Sequence, residues 1–152
     1  MTEATLMDDP VLARISEALD LYNAGRRGEA RDAFSETWAS LVDGDAFHQC
    51  ILAHYMADTQ DDPADELAWD RRALEAANRI SRERPDAAAL SVLSLYPSLH
   101  LNLADVLHRT GDTVGARHHL RQAEQASDAL VDDNYGRMIR HGIERLAVSL
   151  NG

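Results

Sequence analysis

Three side chains that could do chemistry recur at intervals of four residues: Cys50, His54 and Asp58. Residues four apart lie on the same side of a helix, so these three are expected to face one direction. A thiol beside an imidazole can act as a nucleophile with its base, and an imidazole beside a carboxylate can bind a metal ion. A lone cysteine is more often a small buried side chain, so we assign no catalytic role to Cys50.

Recognisable motifs for catalysis or metal binding are missing from the rest of the sequence. There is no G-x-S-x-G elbow, phosphate-binding glycine loop, dinucleotide fingerprint or H-E-x-x-H pair. A single cysteine excludes an internal disulfide and a cysteine-rich zinc site. A metal site at His54 and Asp58 is the alternative, with His48 or His100 as a further ligand. We predict no catalytic residue, no bound metal and no cofactor.

Charge and composition restrict the classes of partner. The formal net charge is -11, every basic residue is Arg, and aromatic residues make up 5% of the chain. An acidic field repels phosphate backbones and anionic lipids, so neither nucleic acid nor a membrane surface is expected as a partner. A basic or neutral peptide, or a small molecule, is compatible with this charge. The mixture of Asp58 and Asp105 with Arg109 suits a basic or zwitterionic partner, such as a protein or peptide segment.

Apolar segments and the N-terminal residues together predict a cytoplasmic protein. No apolar run approaches the roughly 20 residues that span a bilayer. Residues 1–4 lack the basic start and apolar stretch of a secretory signal.

Helix boundaries are marked by aspartate–proline pairs and by glycines. Two aspartates stand immediately before prolines, in Asp9-Pro10 and Asp62-Pro63. An aspartate can cap a helix, and proline tolerates the first turn because its missing N–H would be unpaired there. Three glycines follow segments with apolar residues at helical spacing, where a residue with positive φ can end a helix: Gly25, Gly44 and Gly111.

These boundaries predict an all-α protein with no strand. The expected helices cover residues 10–24, 28–42, 46–59, 63–81, 87–110, 114–130 and 134–150. Leu12, Ile15 and Leu19 show the helical spacing in the first of them. Pro97 falls inside the fifth, where it would remove a backbone hydrogen bond, so it predicts either a kink or a new helix start. Short connections make successive helices antiparallel neighbours within a single domain, residues 1–152.

A repeated pattern of small and large apolar residues links three parts of the chain. Its clearest copy consists of Ala104, Leu107, Gly111, Ala116 and Leu120. The same spacing recurs at Ala18, Leu21, Gly25, Ala30 and Phe34, and a third copy with an insertion begins at Leu52, Ala53 and Met56. This pattern resembles the tetratricopeptide repeat, a helix–turn–helix unit of about 34 residues.

The resemblance implies a short α-solenoid of antiparallel helix pairs. The pairs would span about residues 10–42, 46–81 and 87–130, and the helix at 134–150 would be the C-terminal cap that such stacks need. In this family the first helix of each pair lines a concave groove that binds partners. By position, the resemblance places eight residues on that groove: Tyr22, Asn23, Cys50, His54, Asp58, Asn102, Asp105 and Arg109. His118 and His119 lie on the second helix of a pair, and we expect them at the surface.

The sequence therefore predicts a non-catalytic module that binds a protein or peptide through the groove. A homo-oligomer, with the groove filled by the terminal helix or by a second copy, is a second interpretation. The alternative from another class is a small-molecule sensor or enzyme with a pocket lined by His54 and Asp58. An open groove favours the module, whereas an enclosed cavity with converging His and Asp side chains favours the sensor or enzyme.

Overall fold

The chain forms only helices in residues 9–41, 45–83 and 93–152, which are the residues that the computed structural model describes. The elements there are α1 Pro10–Asn23, α2 Arg27–Ser40, α3 Ala46–Asp58, α4 Pro63–Glu83, α5 Tyr96–Arg109, α6 Thr113–Ala126, a 3-10 helix Ser127–Ala129 and α7 Asn134–Asn151. None of these described helices is both long and apolar enough to cross a membrane. The all-α prediction is confirmed, and most helix boundaries lie within two residues of the predicted ones.

Aspartate side chains cap the helices, as the sequence predicts for two of them. The Asp9 carboxylate accepts hydrogen bonds from the backbone N–H groups of Val11 and Leu12, at 2.9 and 3.1 Å. The Asp62 carboxylate accepts one from the N–H of Ala64 at 2.8 Å. These bonds satisfy donors that have no partner within the helix. Three further caps, which the sequence reading did not assign, are Asp45, Asp112 and Asp133.

Two helix pairs turn at glycines with positive φ. Gly25 follows α1 with φ 80°, and Gly111 follows α5 with φ 90°. A side chain is disfavoured in this conformation, which explains the glycine at the same place in both copies of the repeat. Both predicted turns are confirmed. The third predicted glycine, Gly44, lies outside the described residues.

Pro97 belongs to a helix start. α5 begins at Tyr96, so the proline lies in the first turn, where its backbone nitrogen needs no helical hydrogen bond. The predicted start at residue 87 falls among residues 84–92, which are outside the described part of the chain. Of the two outcomes that the sequence allows at Pro97, the structure shows the new start.

The chain divides into two compact units, unit 1 (Met1–Ala73) and unit 2 (Leu74–Gly152), with the boundary inside α4. In unit 1, α1 packs against α2, and α3 packs against both. In unit 2, α5 packs against α6, and α7 packs against both. The single domain and the solenoid arrangement of the pairs stay predictions.

Alanines at the repeat positions are completely buried. Ala18 and Ala30 have no exposed surface in unit 1, and the same holds for Ala104, Ala116 and Ala123 in unit 2. The distance between packed helices depends on the side chains at their contact, and small ones permit close approach. The small positions of the repeat therefore lie where the helices of a pair meet.

Aromatic and charged contacts join α2 to the beginning of α4 within unit 1. The rings of Trp38 and Trp69 are perpendicular, with centroids 4.9 Å apart. The guanidinium of Arg72 lies 4.3 Å from the centre of the Trp69 ring, in a cation–π contact. Arg31 of α2 forms an ion pair with Asp61 at 3.2 Å, just before α4 begins. These contacts hold the beginning of α4 against α2.

We expect Gly25→Ala to lower the free energy of unfolding by about 1 kcal/mol, because the alanine would be strained at a positive φ. No atom lies within 4 Å of its added methyl group, so the effect is conformational and not steric. Gly28→Ala is the matched control, because Gly28 lies within α2 in equally open space. Gly28→Ala should raise the free energy of unfolding by about 0.5 kcal/mol, because alanine has a higher helix propensity than glycine. Urea unfolding followed by tryptophan fluorescence measures both, and equal effects would contradict the turn geometry.

Candidate functional site

The eight residues predicted to line a groove are divided between the two units. Unit 1 contains Tyr22, Asn23, Cys50, His54 and Asp58, and unit 2 contains Asn102, Asp105 and Arg109. Tyr22 and Asn23 are exposed at the C-terminal end of α1. A groove shared by all eight residues stays a prediction.

Cys50 lies in the core of unit 1. Its side chain has no exposed area, and burial raises the pKa of the thiol to about 12. A neutral, enclosed thiol is a poor nucleophile, because the thiolate is the reactive form. Its place in the core gives Cys50 a packing role in unit 1.

His54 and Asp58 follow Cys50 at the same spacing but have different surroundings. His54 is half-buried, and desolvation lowers its pKa to about 4. Asp58 is exposed at the end of α3, and desolvation together with the negative charge of Glu66 raises its pKa to about 6. Among the described residues, no group of three or more His, Cys, Asp or Glu side chains is placed to hold a metal ion. His54 therefore contributes an uncharged imidazole ring near neutral pH, and Asp58 contributes one carboxylate.

A groove of about 520 Å³ lies between α5 and α7 in unit 2, and we call it the α5–α7 groove. Its lining from α5 consists of Leu101, Asn102, Asp105 and His108, and its lining from α7 consists of Gly142, Arg145, Leu146 and Ser149. Two residues placed on the groove by the repeat resemblance, Asn102 and Asp105, are among them. A third, Arg109, is joined to the groove because its Nε donates to the Asp105 carboxylate at 3.0 Å.

Gly142 allows α7 to approach α5 at the floor of the groove. A Cβ added at this glycine would lie 2.9 Å from Cδ2 of Leu101, closer than the 3.5–4.0 Å at which carbon atoms pack best. Any side chain at position 142 would therefore displace the Leu101 side chain or occupy space inside the groove. The absence of a side chain at this point helps to keep the groove open.

The α5–α7 groove carries both signs of charge, and α7 exposes two large apolar side chains before the residues that line the groove. Asp105 and Arg109 pair on α5, and Arg145 contributes a guanidinium from α7. Tyr135 and Met138 lie three residues apart on α7, and Met138 lies seven residues before Arg145, which is helical spacing. Their side chains are 40% and 60% exposed. α7 therefore carries a charged group that lines the groove and, nearer its N-terminus, apolar side chains that are exposed.

The sequence did not predict that α7 lines a groove, because the repeat resemblance assigned this helix to a C-terminal cap. A signal for it was present. Ile139, Ile143 and Leu146 are buried at the helical period, which leaves the adjoining face, with Gly142 and Arg145, for the groove. A glycine inside a helical pattern also indicates that another part of the protein approaches closely.

Two histidines of the α5–α6 hairpin contact each other in unit 2. The sequence places His119 at the surface, but the structure shows it half-buried, with its Nδ1 3.0 Å from the Nδ1 of His100. The expectation for His119 is wrong because its side chain turns toward α5. His118 is exposed, as expected. Burial, with smaller effects of His119 and His118, lowers the pKa of His100 to about 4.

We expect unit 1 to lose stability as the pH falls from about 6.5 to 4. The unfolded chain protonates His54 near the ordinary pKa of 6.5, whereas the folded chain does so only near 4, so acid favours the unfolded state. The raised pKa of Asp58 acts in the opposite direction, but its carboxylate is exposed and screened by solvent. Urea unfolding at several pH values, followed by tryptophan fluorescence, measures the slope.

The His54→Asn variant should show a smaller loss of stability over this pH range than the unsubstituted protein. His141→Asn, at an exposed position of α7, is the control and should leave the slope unchanged. A slope that is the same with and without His54 would contradict the link between its burial and the acid sensitivity.

Comparisons with protein-family models, with curated proteins and with solved structures found no match in any of the three. The likeness to tetratricopeptide repeats therefore depends on the chain's own repeat positions and on what the structure places there.

Proposed function

We propose that this protein is a non-catalytic, tetratricopeptide-like binding module that holds a protein or peptide segment in the α5–α7 groove. The observation that carries the proposal is the lining of this groove, where Asn102 and Asp105 of α5 lie across from Arg145 of α7. The polar groups project from two helices that pack against each other. Because the helices are already in place, a partner binds without first ordering the groove, which lowers the entropic cost.

The repeat character of unit 2 supports this proposal. Gly111 makes the turn of the α5–α6 pair at positive φ, and Ala104 and Ala116 are fully buried at the small positions of the repeat. α7 packs against both helices of the pair, as a following helix would in a stack. In that arrangement the first helix of the pair, α5, is the one that lines the groove.

The chemistry of the groove favours a partner that carries positive charge or both charges. The net charge of -11 attracts cationic segments over a distance. Within the groove, Asp105 offers an acceptor for a basic group, while Arg145 can bind a carboxylate or a backbone carbonyl. Tyr135 and Met138 provide apolar surface for a neighbouring side chain. We propose a short segment with a basic residue and an apolar residue.

The length of the groove limits how much of the partner it holds. Its α5 lining runs from Leu101 to His108, which at 1.5 Å per residue is roughly 10 Å along the helix. An extended peptide advances about 3.3 Å per residue, so roughly three of its residues fit. The groove therefore suits a linear motif better than a folded surface.

Binding to a defined array of short peptides tests the proposal, with the tightest binder then titrated by fluorescence anisotropy. The double variant Asn102→Ala/Asp105→Ala should bind this peptide at least tenfold more weakly, because it loses an amide and a carboxylate from one wall. Glu124→Ala is the matched control, since it also removes one negative charge, from an exposed position of α6. Its affinity should be unchanged, and circular dichroism should show all three proteins equally helical.

Equal affinity of the double variant and the unsubstituted protein would show that peptides bind elsewhere. Failure of every peptide to bind, together with dimers in analytical ultracentrifugation, would favour the homo-oligomer over the binding module.

A further inference from the structure

We infer that a second pocket in unit 2, of about 480 Å³, binds a small aliphatic amine in its protonated form. The pocket is lined by Asn78 of α4, by the beginning of α5 and by the end of α6, and we call it the α4–α6 pocket. None of its lining residues lines the α5–α7 groove, so the inference goes beyond the proposed function and does not depend on it. The volume lies in the range of pockets that hold small organic ligands.

The charge of the lining favours a cation. Among the described residues that line the pocket, Asp128 is the only one with a formal charge near neutral pH, since none is Arg and the chain contains no Lys. His100 is uncharged there, because burial, with smaller effects of His119 and His118, lowers its pKa to about 4. A phosphate or carboxylate ligand would meet a carboxylate with no compensating cation. The net charge of -11 also attracts cations and repels anions.

The Asp128 carboxylate is available to a ligand. It is exposed on the 3-10 helix Ser127–Ala129, and none of the ion pairs in the described part of the chain includes it. Arg140 contacts this segment through the backbone, donating to the carbonyl groups of Ser127 at 3.3 Å and Leu130 at 2.9 Å. The segment is therefore held in place on both sides of Asp128 without use of the carboxylate.

Two glutamine amides on one face of α6 supply further hydrogen-bond acceptors. Gln122 and Gln125 are three residues apart, which makes them neighbours on the helix surface, and both line the pocket. Each amide oxygen can accept an N–H of an ammonium group. Ala126 and Ala129 also line the pocket, and their small side chains leave space that larger ones would fill. The end of α6 therefore combines polar groups with room for a ligand.

Tyr96 gives the pocket an aromatic side that is fixed before any ligand binds. Its hydroxyl donates to Oδ1 of Asn78 at 2.9 Å and lies 2.8 Å from Oγ of Ser81. Its ring is nearly parallel to the His100 ring, at 20°, with centroids 6.1 Å apart. An aromatic ring attracts a nearby cation electrostatically. Because the ring is already held in position, binding does not have to order it, which lowers the entropic cost.

These features together describe the ligand as an aliphatic amine. Its ammonium group pairs with the Asp128 carboxylate and has further N–H groups for the glutamine amides, since an ammonium has three donors. Its methylene groups lie against the Tyr96 ring and Leu93, an exposed apolar residue of the lining. A bare metal ion has no such apolar part, and no group of three or more His, Cys, Asp or Glu side chains among the described residues is placed to hold one.

Titration of the nitrogen-15-labelled protein with 1,4-diaminobutane, followed by two-dimensional NMR, tests the inference. We expect one site per chain, with the largest shifts in the side-chain amides of Gln122 and Gln125. The side-chain amide of Asn102 lies in the α5–α7 groove and should shift little. 1,4-Butanediol and succinate also contain four carbons but carry no positive charge, and both should bind at least tenfold more weakly. Equal binding of either one would overturn the assignment of the ligand.

Asp128→Asn should weaken binding of the diamine about tenfold, because it removes the charged acceptor and keeps the size of the side chain. Glu144→Gln is the matched control, since it removes one negative charge from an exposed position of α7 outside the pocket. It should change the affinity less than twofold. Unchanged affinity of Asp128→Asn, or equal weakening by both variants, would overturn the site. Shifts of the unsubstituted protein that leave out both glutamines would overturn it even if Asp128→Asn failed to fold.

Discussion

Close contact between paired helices at alanine side chains is the constraint on which this structure depends. Ala18 and Ala30 in unit 1, and Ala104 and Ala116 in unit 2, have no exposed surface. Larger side chains at such points would separate the helices or be forced out of their preferred rotamers. The helix spacing set by these residues fixes the distance between the facing histidines of α5 and α6. The same spacing also holds α5 in the position in which α7 packs against it.

α5 serves two surfaces at once. His100 points toward α6, while Asn102 and Asp105 line the groove beside α7. Positions 100 and 102 are separated by about 200° around a helix of 3.6 residues per turn, so the two surfaces lie on different sides. Tyr96, in the first turn of α5, stacks on the His100 ring.

Features that depend on chain neighbours were predictable from the sequence. The Asp9 cap bonds to N–H groups two and three residues away, and the turn at Gly25 needs only its own φ. Features that depend on how two helices are packed were not. The spacing of residues along the sequence does not show how one helix is rotated against another. It therefore predicted neither the place of Arg145 in the groove nor the contact of His119 with His100. The same rotation turns Cys50 into the core, although its spacing with neighbouring polar residues suggested an open face.

The enclosed thiol of Cys50 should react slowly with alkylating and oxidising reagents while the protein is folded. It has no exposed area, a pKa of about 12, and no second cysteine in the chain to exchange with. Maleimides should therefore react with it only when unit 1 opens, and the rate of that reaction would record how often opening occurs. A cysteine introduced at the rim of the groove would be the sole thiol within reach of a dye or a spin label.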